Sequence, residues 1–249
     1  MSDRVRLFVF LIFGGLFLSL YCYTAVDLPA WGFYRGPYGY VVANIAVYER
    51  HATDVVNAIN YDYRGFDTLG EEFILFAAVL GVMLLLRQEG APHPSSSGKM
   101  PDFQVLSTTI QAVTMPAVFL TVLFGLYIGL HGQLTPGGGF QAGVILSTAS
   151  LLVYITQNTE AFRRITSHSV VEIIEAVGAG GYALVGLTPL LMGAPFLTNF
   201  LPLGQTGDVF SSGTIAVISA LVGVEVTAAF LMVSFTYLQE IIRGHVSDS

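Results

Sequence analysis

The 249-residue sequence is poor in charge. Asp, Glu, Lys and Arg together make up 11% of it, against roughly 25% in ordinary soluble domains. Too little polar side chain remains to coat a water-soluble globule. Disorder is excluded as well, because it needs low hydrophobicity and many charges. Basic residues are the scarcer sign, 10 against 17 acidic, for a formal net charge of −7. Nucleic acid is therefore not an expected partner, since binding it means neutralising phosphates with Lys and Arg. The single cysteine, Cys22, allows neither an internal disulfide nor a cysteine-based metal site. Apolar side chains are plentiful, at 53%, with 27 glycines and a mean hydropathy of +0.68. These are the proportions of a membrane protein.

A helix crosses the hydrocarbon layer in about 20 apolar residues. Six segments qualify: Val5–Val26, Asp67–Leu86, Ser107–Leu130, Phe140–Thr156, Val170–Leu191 and Thr214–Leu238. Barrel strands need only about 10 residues and alternate in polarity, so the expected fold class is an all-α integral membrane protein with about six transmembrane helices. The first segment follows Arg4 and Arg6 but outruns the roughly 7–15 apolar residues of a signal core and lacks an A-x-A site. It reads as a retained helix. With the N-terminus in the cytoplasm, Arg4, Arg6, Arg87, Lys99, Arg163, Arg164 and Arg243 lie inside and Arg35, Arg50 and Arg64 outside. That asymmetry predicts both termini cytoplasmic.

The stretch 90–101, GAPHPSSSGKMP, has the Pro, Ser and Gly content of a flexible linker. It separates an N-terminal two-helix module, 1–89, from a C-terminal four-helix module, 102–249. In the loop 27–66, Val55, Val56 and Ile59 alternate at helical spacing with Asp54, Asn57 and Asn60. This pattern predicts a short amphipathic helix over 52–61, lying on the membrane surface or packed on a neighbour. Phe140-Gln-Ala-Gly143 and Phe210-Ser-Ser-Gly213 each open a helix in this reading, which hints at an internal duplication. Gly125 with Gly129, Ala176 with Gly180, and Ser219 with Gly223 have the small-residue spacing of close helix contacts in lipid.

Acids inside lipid cost about 2.5–3.5 kcal/mol on insertion scales and need a reason. Glu225 lies 11 residues into the sixth span, about 16 Å at 1.5 Å per residue, where no capping role is available. Such an acid is suited to exchanging a proton. Glu175 lies within two turns of the start of the fifth span. Glu172 follows Ser169 at capping-box spacing and pairs with His168 in the simplest reading. Thr68 and Glu71 also match a capping box, yet two adjacent acids, Glu71 and Glu72, exceed what a cap requires. His131 ends the third span, and Pro136, Gly137, Gly138, Gly139 and Phe140 follow in the loop. Three glycines free that backbone to adopt unusual angles, which in a membrane suits a wet cavity or a covered turn; a tight exposed hairpin is the plainer alternative. No metal-ligand spacing, nucleophile elbow or phosphate loop is present. Glu175 toward the cytoplasm, Glu225 at mid-depth and Glu71 and His131 toward the outside suggest a relay of titratable groups.

The stretch Gly129–Gly143, GLHGQLTPGGGFQAG, resembles the signature of the MnhB/MrpB subunits of Mrp-type multisubunit Na+/H+ antiporters, over roughly residues 102–245. Ala142 stands where the usual form has glycine. Asp54-Val-Val-Asn57 and Arg64-Gly-Phe-Asp-Thr-Leu-Gly-Glu71 resemble the MbhE-like segment that ends the large MrpA subunit. The resemblance implies an MrpA tail fused to MrpB. It also implies that Glu71, ahead of Glu72, belongs to an ion pathway, and it raises His131 and the 136–140 loop.

These readings predict a transport subunit, not an enzyme, with no cofactor of its own. Its buried carboxylates would serve proton or sodium movement. The expected partners are Mrp-type or complex-I-like antiporter and small membrane subunits, the lipid bilayer, H+ and, as the other candidate, Na+. Its expected location is the cell inner (plasma) membrane. The competing reading is a scaffold that joins subunits and conducts nothing.

Overall fold

The computed structural model describes residues 3–26, 37–86, 108–156 and 168–247; the expected linker at 90–101 lies outside these. The described residues are helical, without strands. The chain divides into two units, one ending at Gly39 and one beginning at Tyr40. The first holds α1 (Asp3–Val26), whose stretch Leu7–Val26 has mean hydropathy 2.0.

The second unit takes in α2 (Tyr38–Arg50) from its third residue on, then a single turn, α3 (Val55–Ala58), and a π turn over Ile59–Tyr63. Then come α4 (Gly65–Leu86), α5 (Thr108–Leu130), α6 (Gly139–Thr156), α7 (His168–Leu191) and α8 (Thr214–Ser247). Five helices, α1, α4, α5, α7 and α8, are long and apolar enough to cross a membrane. The sixth expected span, α6, has 18 residues, about 27 Å, just under the roughly 30 Å of a hydrocarbon core.

The unit is organised around α8. Of its membrane-length window 61% is buried, against 28% or less in the other four long helices. Ile215, Ile218, Val222, Val226 and Ala229 follow one another at three- and four-residue steps and are almost fully buried, the spacing of one helical face. Around this face pack α4, α6 and α7, and α5 rides on α6. Small residues set the crossings. Gly139 and Gly143 of α6 bear directly on Ser219, Gly223 and Val226, so α6 runs parallel to α8. Gly178 and Gly181 of α7 meet Glu225 and Leu221, so α7 runs antiparallel. Gly125 and Gly129 do pack closely on α6, against Leu146 and Ala142, but Gly180 has open space beside it. Its small-residue pair is thus not used within the described chain.

Several local expectations need correction. Helix α4 begins at Gly65, so Thr68 is inside the helix and not its N-cap; its hydroxyl donates instead to the Asn60 carbonyl at 2.7 Å. Helix α7 begins at His168, ahead of the Ser169 expected to cap it, and the expected His168–Glu172 pairing lies outside the described side chains. Phe140 lies inside α6 while Phe210 precedes α8 by four residues, so the two Phe-x-x-Gly motifs do not occupy matching places. Helix α2 has no counterpart in the sequence reading. The short helix near 52–61 exists, but Val56 is exposed and Asn57, Ala58 and Tyr61 are buried. Val55 and Ile59 do pack on the core, half-buried, but the most deeply buried side of the turn also carries the polar Asn57.

Candidate functional site

Three helices each turn one acid inward. On α4 the buried residues Gly65, Thr68, Leu69, Glu72 and Val79 form one stripe. On α7 Val171, Glu175, Gly178, Tyr182 and Pro189 form another. On α8 Glu225 lies on the buried face next to Val222 and Val226. Glu72, Glu175 and Glu225 are 3%, 5% and 1% exposed. Glu72 lies within electrostatic reach of Glu225, and Glu225 of Glu175.

Glycine brings two of them together. A Cβ on Gly178 would stand 2.6 Å from the Glu225 Cβ and 2.8 Å from its Cα, so only a residue without a side chain admits α7 this close. Glu175 precedes Gly178 by three residues, about 4.5 Å along the axis. Val171, a further turn back, shares a buried cluster with Ala228, Ala229 and Met232, further along α8. The carboxyls of Glu225 and Glu175 therefore succeed one another along α8.

Four carboxyl oxygens in this line have no hydrogen-bond partner among the described residues: Glu72 Oε2, Glu175 Oε1 and both of Glu225. A buried polar atom left unpaired costs about 1–3 kcal/mol, so these oxygens call for a partner from outside the described residues. Among the described residues the ion pairs are Arg50–Asp62, at 2.8 Å, and Arg64–Asp67. Both lie at the helix ends, and neither neutralises a core acid. Also among the described residues, no group of three or more His, Cys, Asp or Glu is placed to hold a metal ion.

The adjacent Glu71 points elsewhere. It is exposed, because the next residue of a helix lies about 100° around the axis. The resemblance put Glu71 ahead of Glu72, the reverse of their burial. His131 is half-buried, stacked on Tyr127 at 4.4 Å, with Nδ1 3.0 Å from the Tyr127 carbonyl. It is not among the residues of the acid line.

The 131–139 loop is covered, not an exposed hairpin. The Asn57 amide donates to the Gly132 carbonyl, the Asp54 N–H donates to the Gln133 carbonyl at 3.1 Å, and the Thr53 hydroxyl donates to the Leu134 carbonyl at 2.5 Å. Gln133 in turn donates to the Val209 carbonyl at 2.6 Å. Gly138 has φ +130°, which a side chain would strain. Pro136 and Phe140 are exposed, Gly137 is half-buried, and Gly138 and Gly139 are buried. Burial pushes the Asp54 carboxyl above the usual carboxylate range, against hydrogen bonds from the N–H groups of Val56, Asn57 and Gly137.

At the same end Asn199 ties three segments. Its amide donates to Asp62 Oδ2 at 3.1 Å and to the Ser212 carbonyl at 3.0 Å, and its Oδ1 accepts from the Thr214 N–H at 2.9 Å, closing the start of α8. The Tyr182 hydroxyl donates to the Gly65 carbonyl at 2.8 Å, joining α7 to the start of α4. Sequence reasoning missed Asn199, Tyr182 and Tyr61. A half-buried asparagine in a loop and a tyrosine in a span carry no periodic signal.

Residues 109–232 match the family model for a domain related to the MnhB subunit of Na+/H+ antiporters, and residues 3–104 match the MbhE family model, that of the E-type subunit of MBH. A putative antiporter subunit mnhB2 of Staphylococcus aureus is 32% identical over 128 residues, covering 47% of this chain and 88% of that protein. A probable K+/H+ antiporter A/B subunit of Rhizobium meliloti is 31% identical over 170 residues, covering 61% of this chain and 17% of that one. Among solved structures, a chain of the membrane-bound sulfane sulfur reductase, an archaeal respiratory membrane complex, matches with TM-score 0.65 and 29% identity. It covers 96% of this chain and 99% of that one.

Proposed function

Because the chain belongs to the family of MnhB-related subunits of Na+/H+ antiporters, with an MbhE-type segment ahead of that domain, we propose that it conducts ions within an Mrp-type or complex-I-like membrane assembly. The line of Glu72, Glu225 and Glu175 carries this reading. It consists of three inward acids on three helices, without a basic partner among the described residues and with four unpaired carboxyl oxygens. Groups of this kind inside a membrane mark proton and ion routes. The acids stand singly and not as a cage of oxygens, which suits protons better than sodium. Any redox step belongs to partner subunits, and the chain acts as a transport subunit of the plasma membrane with both termini cytoplasmic.

The test is charge neutralisation in the intact complex, reconstituted into vesicles. Glu225→Gln is expected to leave the complex assembled and to cut proton-coupled transport at least tenfold. Undiminished transport removes Glu225 from the route. The scaffold reading has one observation in its favour. Glu71, exposed inside a membrane-spanning helix, is placed to meet a neighbouring protein of the complex. For that residue Glu71→Gln is expected to weaken assembly, measured by recovery of partner subunits.

A further inference from the structure

The buried face of the α3 turn carries polar groups beside the fully buried Ala58. Asp54, Asn57 and Tyr61, at steps of three and four residues, are 9%, 2% and 3% exposed, while Val56 on the far side is 61% exposed. Asp54 and Asn57 are engaged by the 131–139 loop. The Tyr61 ring continues inward, into the cluster formed with Tyr182 of α7 and Ile215, Ile218 and Val222 of α8. Its hydroxyl faces the N–H groups of Gly139 and Phe140 and the hydroxyl of Ser219, with the Glu72 carboxyl in electrostatic reach. Ser219 precedes Glu225 by six residues on α8, about 9 Å. Tyr61 therefore occupies the level of α8 immediately before the acids, between them and the end of the bundle where Asp54 adjoins the exposed Thr53. The backbone that presents it is a π turn, Ile59–Tyr63, a rare form found mostly at functional sites.

We propose that Tyr61 is a selectivity gate at the Asp54 end of the acid line, its hydroxyl passing protons to Glu72 while its ring denies passage to sodium. This rests on the proton-conducting reading above. A phenol both donates and accepts. It takes a proton onto its oxygen from a hydrated proton on the Asp54–Asn57 side, leaving neutral water, and releases its own proton through an intervening water to the Glu72 carboxylate. One O–H bond breaks for each that forms, and the phenol ends unchanged. Burial, and after it the nearby Glu72 carboxyl, pushes the phenol up to about 12, so it keeps a proton to hand on at neutral pH. A sodium ion would have to shed water for oxygen ligands, and a ring wedged among Ile215, Ile218 and Val222 supplies none.

The experiment uses the intact complex in proteoliposomes, with a pH-sensitive dye inside and radioactive sodium outside. Tyr61→Phe keeps the ring and removes the hydroxyl. It is expected to lower proton flux at least tenfold while sodium uptake through this chain stays at background. Tyr61→Ala removes the ring and is expected to raise sodium leakage at least fivefold. A Tyr61→Phe complex whose proton flux stays within twofold of the unsubstituted one, while Glu225→Gln abolishes flux, overturns the gate and leaves the acid line standing. If Glu225→Gln is also without effect, both fall. Loss of assembly in Tyr61→Phe overturns the gate too, since the hydroxyl would then be serving structure.

Discussion

Gly178→Ala tests whether the approach of α7 to α8 is what holds Glu225 in place. The added Cβ would stand 2.6 Å from the Glu225 Cβ and 2.8 Å from both its Cα and its N. Two of those atoms are backbone and cannot rotate away. Ordinary contact lies near 3.5–4.0 Å, so the helices must part by roughly 1 Å. Overpacking of this kind costs about 1–3 kcal/mol, against which alanine gains about 1 kcal/mol in helix propensity over glycine. Gly180→Ala, two residues on, is the control: nothing lies within 4 Å of its Cβ, so only the propensity gain remains. Thermal unfolding of the full chain in detergent should rank Gly180→Ala at or above the parent. Gly178→Ala should fall below Gly180→Ala by about 1–3 kcal/mol. In the assembled complex Gly178→Ala should also slow proton flux, because it displaces the carboxyl from its neighbours. Equal stability of the two variants, with equal flux, would refute the close-contact reasoning.

Other consequences follow from the polar ties at the end of the bundle. Asn57→Ala strands the buried Gly132 carbonyl and should cost about 1–3 kcal/mol, seen as faster proteolysis of the 131–139 loop. Asn199→Ala removes an acceptor from the first N–H of α8 and a donor from Asp62; a lost cap alone is worth about 1 kcal/mol, measurable as a lower unfolding temperature. Asp67→Asn breaks only the exposed pair with Arg64 and should change stability by less than about 1 kcal/mol. A larger loss would mean that the pair is covered by a partner.

How much of this was legible in the sequence depended on which signal each feature leaves. Long apolar runs announce themselves by length, and all six expected segments are helices within about two residues of their expected starts. Facing is harder. In water, burial follows hydrophobicity, and Val55, Val56 and Ile59 ought to point inward. Val55 and Ile59 do pack on the core, but Val56 points out and Asn57 in, because part of what that turn meets is a loop of bare carbonyls that an amide can satisfy. For the same reason Glu71 and Glu72 could not be ranked by pattern, since adjacent residues of an apolar helix look alike until a neighbour is placed against one of them. Glu225 was legible, because depth alone condemns any capping explanation. Gly178 was not, as its meaning lies in the residue it faces on another helix.

The arrangement of the three acids bears on how such a line can work. Were they on one helix, the route would be as rigid as that helix. Here each sits on a different element: Glu72 on α4, Glu175 on α7 and Glu225 on the central α8. The crossing of α7 and α8 is held by Gly178 and Gly181 against Glu225 and Leu221. Small-residue contacts of this kind fix a close approach through packing alone. A shift of α7 along α8, within the travel that keeps Gly178 against Glu225, would change the Glu225–Glu175 separation. The Tyr182–Gly65 bond joins α7 to the start of α4, so α4 and its Glu72 would be drawn along. Any partner protein that moves α7 thereby alters both links of the line at once.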